Sequence, residues 1–277
     1  MNNSTFKFLN VIFTLACLAT VSVAYAEGDY FKIKQSGILK VAVYNDFAPF
    51  SAANQGIDID LADALAKKLG LRLSLLPFNA GDDLNDDLRN MVWKGHYMGY
   101  GPADVLLHVP VDPRLMAQND KVKIFAPYHR ETVSLVRDIR KVPNFENLDS
   151  MTGKRIGVEK VSIGAVLIMG AEDGKFRENV NIYATATEAL ERLKAGEIDG
   201  VVATRSEIES VLRKDPNFQI SDVVFQRLSP KGWVIGMAVK KEDVGLINSL
   251  QDATNELVAS GEMAKIFAKH GVDLVTP

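Results

Sequence analysis

Cysteine is nearly absent. The single one, Cys17, lies within the first 26 residues, so the remainder has neither a thiol nor a disulfide. That remainder must be held by core burial alone, which a chain of about 250 residues can supply. An excess of either charge is also lacking. With 32 Lys and Arg against 35 Asp and Glu, the formal net charge is −3. This leaves no basic footprint for nucleic acid or for a membrane surface. Histidine is scarce, with four residues and no pair at the spacing of a helical zinc motif. His96 and His108 have no third ligand placed with them, and no metal or cofactor is expected. Past the N-terminus no segment is apolar enough to span a bilayer.

The first 26 residues differ from the rest. Lys7 is the only charged side chain before Glu27. Phe8 to Val23 is almost wholly apolar, and Ala24-Tyr25-Ala26 puts small residues at the −3 and −1 positions. This is the pattern of a secretory signal peptide cut after Ala26. Its apolar run of roughly 16 residues is shorter than the ~20 a spanning helix needs. A lipoprotein site at Leu15-Ala16-Cys17 is disfavoured, because Thr14 stands where an aliphatic residue belongs. The protein is therefore expected in the periplasm.

Hydrophobic periodicity gives the architecture. Gly37–Val43 reads as a strand, Ile57–Leu69 as a helix stopped by Gly70, and Leu71–Phe78 as a second strand. A helix over Asp86–Lys94 and a predominantly apolar strand over Ala103–Val109 complete a β-α-β-α-β unit. The plan then repeats. Strands Arg155–Glu159, Val180–Ala184 and Ile198–Ala203 alternate with helices from Ile163 and from Thr187. Ile124–Val136 and Leu228–Val239 are extended and apolar and read as two crossings between lobes. The tail from Leu246 to Lys269 is helical and returns to the first lobe. The expected fold is α/β and two-lobed, with the second lobe (129–234) inserted into the first (27–128 plus 235–277). The hinge crossings are expected near 125–136 and 228–239.

Six segments carry a family resemblance in the right order. They are Gly37–Val41 with Ala48-Pro49-Phe50, Gly56-Ile57-Asp58-Ile59-Asp60-Leu61, Phe125-Ala126-Pro127-Tyr128, Gly153–Val158, Gly196–Val202 and Gly232–Val239. Together they resemble family 3 extracellular solute-binding proteins, the polar amino-acid-binding type of ABC importers. The resemblance implies the type II periplasmic-binding-protein fold, with a ligand cleft between lobes that closes by a hinge.

It also implies site residues. Aromatics after the first strand cover the ligand, which points to Tyr44 and Phe47, with Phe50 assigned to the core. An arginine after the third strand clamps a carboxylate, and Arg114 is the candidate, about two residues early. The Ser/Thr-rich stretch before it is replaced by His108–Asp112, which brings in His108. Ser162 opens a helix on the second lobe as a hydroxyl donor, an anion site or an N-cap. Thr204 stands where amino-acid binders carry an acid for the ligand's ammonium, so a standard α-amino acid is not expected. The glycine-rich aromatic run Trp93–Pro102 walls the cleft, presents a protein-binding surface or is a plain surface loop.

Three functions follow. The first is a monomeric binding subunit that captures a small polar or carboxylate-bearing molecule for an ABC permease. The second rests on Asp104–Pro110, Asp112 and Pro127-Tyr128. These resemble a branch of the fold associated with periplasmic quinoprotein (PQQ-dependent, methanol-type) alcohol dehydrogenases, and imply a non-transport accessory protein. The third is an enzyme such as a cyclic-acid dehydratase, with His108 and Glu159 as its acid–base candidates. Binding is favoured over catalysis, because nothing in the sequence pairs those two groups.

Overall fold

Two five-stranded sheets organise the computed structural model, which describes residues 28–226 and 228–277. The expected signal peptide and Cys17 lie outside the described residues. The strands are β1 (Ile38–Tyr44), β2 (Arg72–Phe78), β3 (Val105–Pro110), β4 (Val122–Glu131), β5 (Val133–Asp138), β6 (Ile156–Glu159), β7 (Val180–Tyr183), β8 (Gly200–Thr204), β9 (Phe218–Ser221) and β10 (Trp233–Lys240). The first sheet runs β2-β1-β3-β10-β4 and the second β7-β6-β8-β5-β9. In each, four strands run in one direction and a single strand, β10 in the first sheet and β5 in the second, runs antiparallel to both its neighbours. The expected repeat is present, and the second lobe is inserted into the first.

The apolar runs become central strands because helices cover both faces of each sheet. In β3, Val105 and Leu107 enter one core while Leu106 and Val109 enter the core on the opposite face. In the second sheet Val202 faces one core, and Val201 and Ala203 the other. The Ile57–Lys68 helix buries Ile57, Leu61, Ala64 and Leu65, as its spacing predicts. No side chain caps it. Instead the Ile57 and Asp58 amides donate to the Pro49 and Phe50 carbonyls at 3.1 and 2.9 Å. That approach requires Gly56, since a Cβ there would lie 2.2 Å from the Phe50 oxygen.

Local details differ from the sequence reading. The helix expected over Asp86–Lys94 is an α-helical turn, Leu84–Leu88, continued by a π-helical turn, Arg89–Trp93. The C-terminal helix is two helices, Val244–Ala259 and Glu262–Lys269, broken at Gly261 with φ 72°. The helices Gly28–Ser36, Pro113–Gln118 and Arg205–Leu212 and the strand β9 escaped the periodicity, because each is short or mixed in composition.

The chain passes between sheets at Thr132, the one residue separating β4 from β5, and returns through irregular backbone into β10. Trp233 pairs with Glu131 in register and packs against cores of both lobes. A polar cluster sits at this crossing. His129 Nε2 lies 3.1 Å from Ser206 Oγ on the Arg205–Leu212 helix. Glu131 Oε1 accepts the Thr132 and Ser206 amides at 2.9 and 3.4 Å. His129 Nδ1 and Glu131 Oε2 are buried with no partner. Burial pushes the Glu131 carboxyl up to about 7, against the amide bonds it accepts and with Glu207 nearby. Burial pulls His129 down to about 4, with His108 and Arg205 opposing its charge and Asp58 favouring it.

The two shifts act across overlapping pH windows with opposite sign. Glu131 is favoured protonated in the fold. Its contribution is complete below its ordinary value of 4.5 and is lost as pH rises through about 7. His129 is favoured neutral, and its contribution is complete above 6.5 and lost as pH falls towards about 4. Urea denaturation of wild type and Glu131→Gln across pH 5 to 8 isolates the carboxyl, because His129 acts alike in both: the stability of wild type relative to the variant is expected to fall by an amount on the order of 3 kcal/mol; parallel curves would remove the buried carboxyl as its source. Gly232 is a second checkpoint. It has φ 63°, and a Cβ there would lie 1.8 Å from the Glu131 oxygen. Gly232→Ala is expected to cost more than about 2 kcal/mol in the same assay.

Candidate functional site

A cavity of about 660 Å³ opens at the carboxyl ends of β1, β2 and β3, against Trp233. Parallel strands end there without helices over their tips, which is where open α/β sheets leave room for a ligand. Tyr44, Phe47 and His108 line it together with Asp46, Asp87 and Trp233.

His108 reaches the cavity through a bulge. Gly236 pairs with Val109 and Ala238 with Leu106, so β3 carries one residue more than β10 between the same two rungs. His108 takes φ 60° to absorb it, a left-handed conformation that is costly for a residue with a Cβ. Three contacts hold it. Its amide donates to the Tyr128 hydroxyl at 3.1 Å, its Nδ1 lies 3.1 Å from Asp58 Oδ2, and Tyr128 donates to Asp58 Oδ1 at 2.9 Å. All three residues are buried. Burial and the Asp58 charge hold the Tyr128 phenol well above its ordinary value.

Phe47 meets the His108 ring edge-on at 4.6 Å and stacks on Phe50 at 5.5 Å. Phe50 is buried in the core, as read from the sequence. The Tyr44 hydroxyl donates to Asp87 Oδ2 at 3.2 Å, and Asp87 Oδ1 accepts the Gly81 amide at 2.9 Å. Burial raises the Asp87 carboxyl above its ordinary range and pushes the Tyr44 phenol up as well.

The other expected residues lie elsewhere. Arg114 is exposed on the Pro113–Gln118 helix and does not line this cavity. Its amide is bound by the N-cap Asp112, which turns the chain into a helix where an arginine clamp was expected. Ser162 and Thr204 stand at the carboxyl ends of β6 and β8 and serve as N-caps. Ser162 Oγ accepts the Ala165 amide at 3.1 Å and donates to the Glu159 carbonyl. Thr204 forms a capping box with Glu207 and donates its hydroxyl to that carboxylate at 2.8 Å. Neither lines the cavity. In the run from Trp93 to Pro102, Tyr97 and Met98 are exposed, and the run stays out of the cavity wall. Among the described residues no group of three or more His, Cys, Asp or Glu could hold a metal, and no helix is long and apolar enough to cross a membrane.

Sequence reasoning missed Asp58, Asp87 and Trp233. An acid two positions into a helix whose neighbours are all apolar is a signal for a buried partner, and Asp58 carried it. Trp233 carried one too, as a large aromatic after Gly232 in a hinge segment. Asp87 carried none. Asp58→Ala removes the acceptor shared by Tyr128 and His108, and a loss of about 3 kcal/mol or more is expected in denaturant melts, against about 1 kcal/mol for Tyr128→Phe.

No family model matches the chain. Curated relatives do. A probable histidine-binding protein of Neisseria gonorrhoeae is 25% identical over 244 residues, covering 84% of this chain and 82% of the relative. An ABC transporter arginine-binding protein of Escherichia coli (strain K12) is 24% identical over 227 residues, covering 81% of this chain and 86% of the relative. A cyclohexadienyl dehydratase of Pseudomonas aeruginosa is 33% identical over 100 residues, 32% of this chain and 37% of the relative. Among solved structures, an ancestral cationic amino acid solute binding protein superposes with TM-score 0.68 at 20% identity, over 87% of this chain and 98% of the other. A polar amino acid ABC uptake transporter substrate binding protein from Streptococcus thermophilus gives 0.67 at 21% identity, over 90% and 91%. These structures establish the fold, and the sequence matches extend along most of its length. The chain is a homologue of the extracellular solute-binding proteins of ABC importers, with their two-lobed type II fold.

Proposed function

We propose that this protein is exported to the periplasm, its leader removed after Ala26, and that it captures a small polar solute for an ABC permease. In this reading the lobes divide at Thr132 and ahead of Trp233. One observation carries the reading: the cavity at the strand ends is lined by aromatic and polar side chains and abuts the hinge tryptophan. A volume of about 660 Å³ suits a small molecule. Tyr44, Phe47 and His108 are the ligand-contacting residues of this proposal, while Ser162 and Thr204 stand at strand ends of the opposite lobe. The relatives matched over most of their length are named for binding amino acids, which supports binding over catalysis.

The accessory reading has a narrower basis. Most of the residues that resemble the quinoprotein-associated branch lie on β3, whose side chains Val105 to Val109 are all buried. A likeness there bears on packing more than on a docking surface. What favours that reading is the exposure of Tyr97 and Met98 on the Trp93–Pro102 run.

Thermal shift across a metabolite panel tests the proposal. A solute at 100 times its Kd is expected to stabilise the native form by about 2.7 kcal/mol and so to raise the melting temperature. Absence of any shift, with co-purification of a quinoprotein dehydrogenase, would overturn solute capture in favour of the accessory role.

A further inference from the structure

The cavity wall has one sign of charge. Asp46 and Asp87 line it, and no lysine or arginine does. Arg114, the residue expected to clamp a carboxylate, is exposed on a separate helix. The rest of the wall offers aromatic surface, from Tyr44, Phe47 and Trp233. Asp87 is the better placed acid. It is 5% exposed, and Tyr44 and Gly81 each give it one hydrogen bond, leaving further lone pairs on both oxygens. A desolvated carboxylate beside π faces attracts a positive group from two directions, through the ion pair and through the ring quadrupoles.

The second sheet presents acids at its carboxyl ends as well. Glu159 closes β6, and Glu207 folds back onto Thr204 at the end of β8. Burial raises both carboxyls, Glu207 to about 7. Of the cations beside them, Arg205 is committed to Glu209 at 2.7 Å, and Lys160 is exposed. An amino-acid ligand would have to place its carboxylate on that side, at Lys160 and the opening amides of the Ile163–Gly170 helix. The nearest hydroxyl, that of Ser162, is already bonded within its own cap.

We infer that the solute is an organic cation, an amine, guanidine or quaternary ammonium, held by Asp87 and the aromatic wall, with no requirement for a carboxylate. This rests on the solute-capture reading above and specifies its cargo.

Titration calorimetry of the full mature chain with matched pairs tests it: agmatine against L-arginine, histamine against L-histidine, and choline against glycine betaine. Each pair keeps the positive group and differs in the carboxylate. In at least one pair the carboxylate-free member is expected to bind about tenfold or more tighter. Asp87→Asn is expected to weaken that binding about tenfold. Asp46→Asn, at an exposed position, gives a second reading if the Asp87 variant fails to fold, with a loss of about threefold expected from a partly screened charge. Tighter binding of the amino acid or betaine overturns the inference and leaves solute capture standing. Binding that neither aspartate variant weakens overturns it too. If no compound binds, a melting-temperature rise with a small-molecule extract of cells overturns the cation alone, and no rise overturns solute capture with it.

Discussion

One pairing closes the molecule. The chain leaves the first sheet at Glu131 and re-enters it at Trp233, and these two residues are register partners in the β4–β10 ladder. Everything between them, a second sheet with its helices, is an excursion tied off by one antiparallel rung. The two crossings therefore run side by side. Trp233 touches cores of both lobes. Gly232 precedes it because the Glu131 carbonyl occupies the place of a side chain.

The crossing buries polar groups of its own. His129, Glu131 and Ser206 are buried at the crossing, and two of their polar atoms find no partner. Apolar contacts resist sliding because they are lost together, whereas hydrogen bonds across a joint are made and broken singly. The C-terminal tail adds such links. Val275 accepts the Arg130 amide on the first sheet, and the Asp273 amide donates to Glu209 on the second lobe. The tail thus bonds to both bodies beside the crossing.

The fold was legible because it is written in apolar periodicity. β3 shows as an apolar run broken only by His108, since both faces of a central strand are buried, and the Ile57–Lys68 helix shows as a stripe. Short elements with mixed composition carried too little signal, as in Pro113–Gln118 and Arg205–Leu212. The site was half legible. Tyr44 and Phe47 follow a strand that ends at the cleft, so position alone points to them. His108 was found through a break in the expected Ser/Thr-rich stretch, but its bulge and its Asp58 partner depend on pairing with β10, fifty residues or more away in sequence. Arg114 was misplaced because a spacing two residues short does not move an arginine along a strand. It starts a helix at Asp112 and turns the side chain elsewhere.

This division explains how the chain keeps the architecture of its relatives at 20 to 25% identity. The motifs that carry the resemblance sit where packing is strict. Gly56 lies against the Phe50 carbonyl, Asp58 is locked to Tyr128 and His108, and Gly236 lies against the Phe125 oxygen. A change at any of them disturbs the core, so they are constrained whatever the protein binds. The strand ends carry no such burden. A residue at the tip of β3 or β8 is held by a turn or a cap, and changing it leaves the sheets intact. Selectivity can therefore change without the fold, and the charge and aromatic surface at the strand tips, not the motifs in the core, carry the information about cargo.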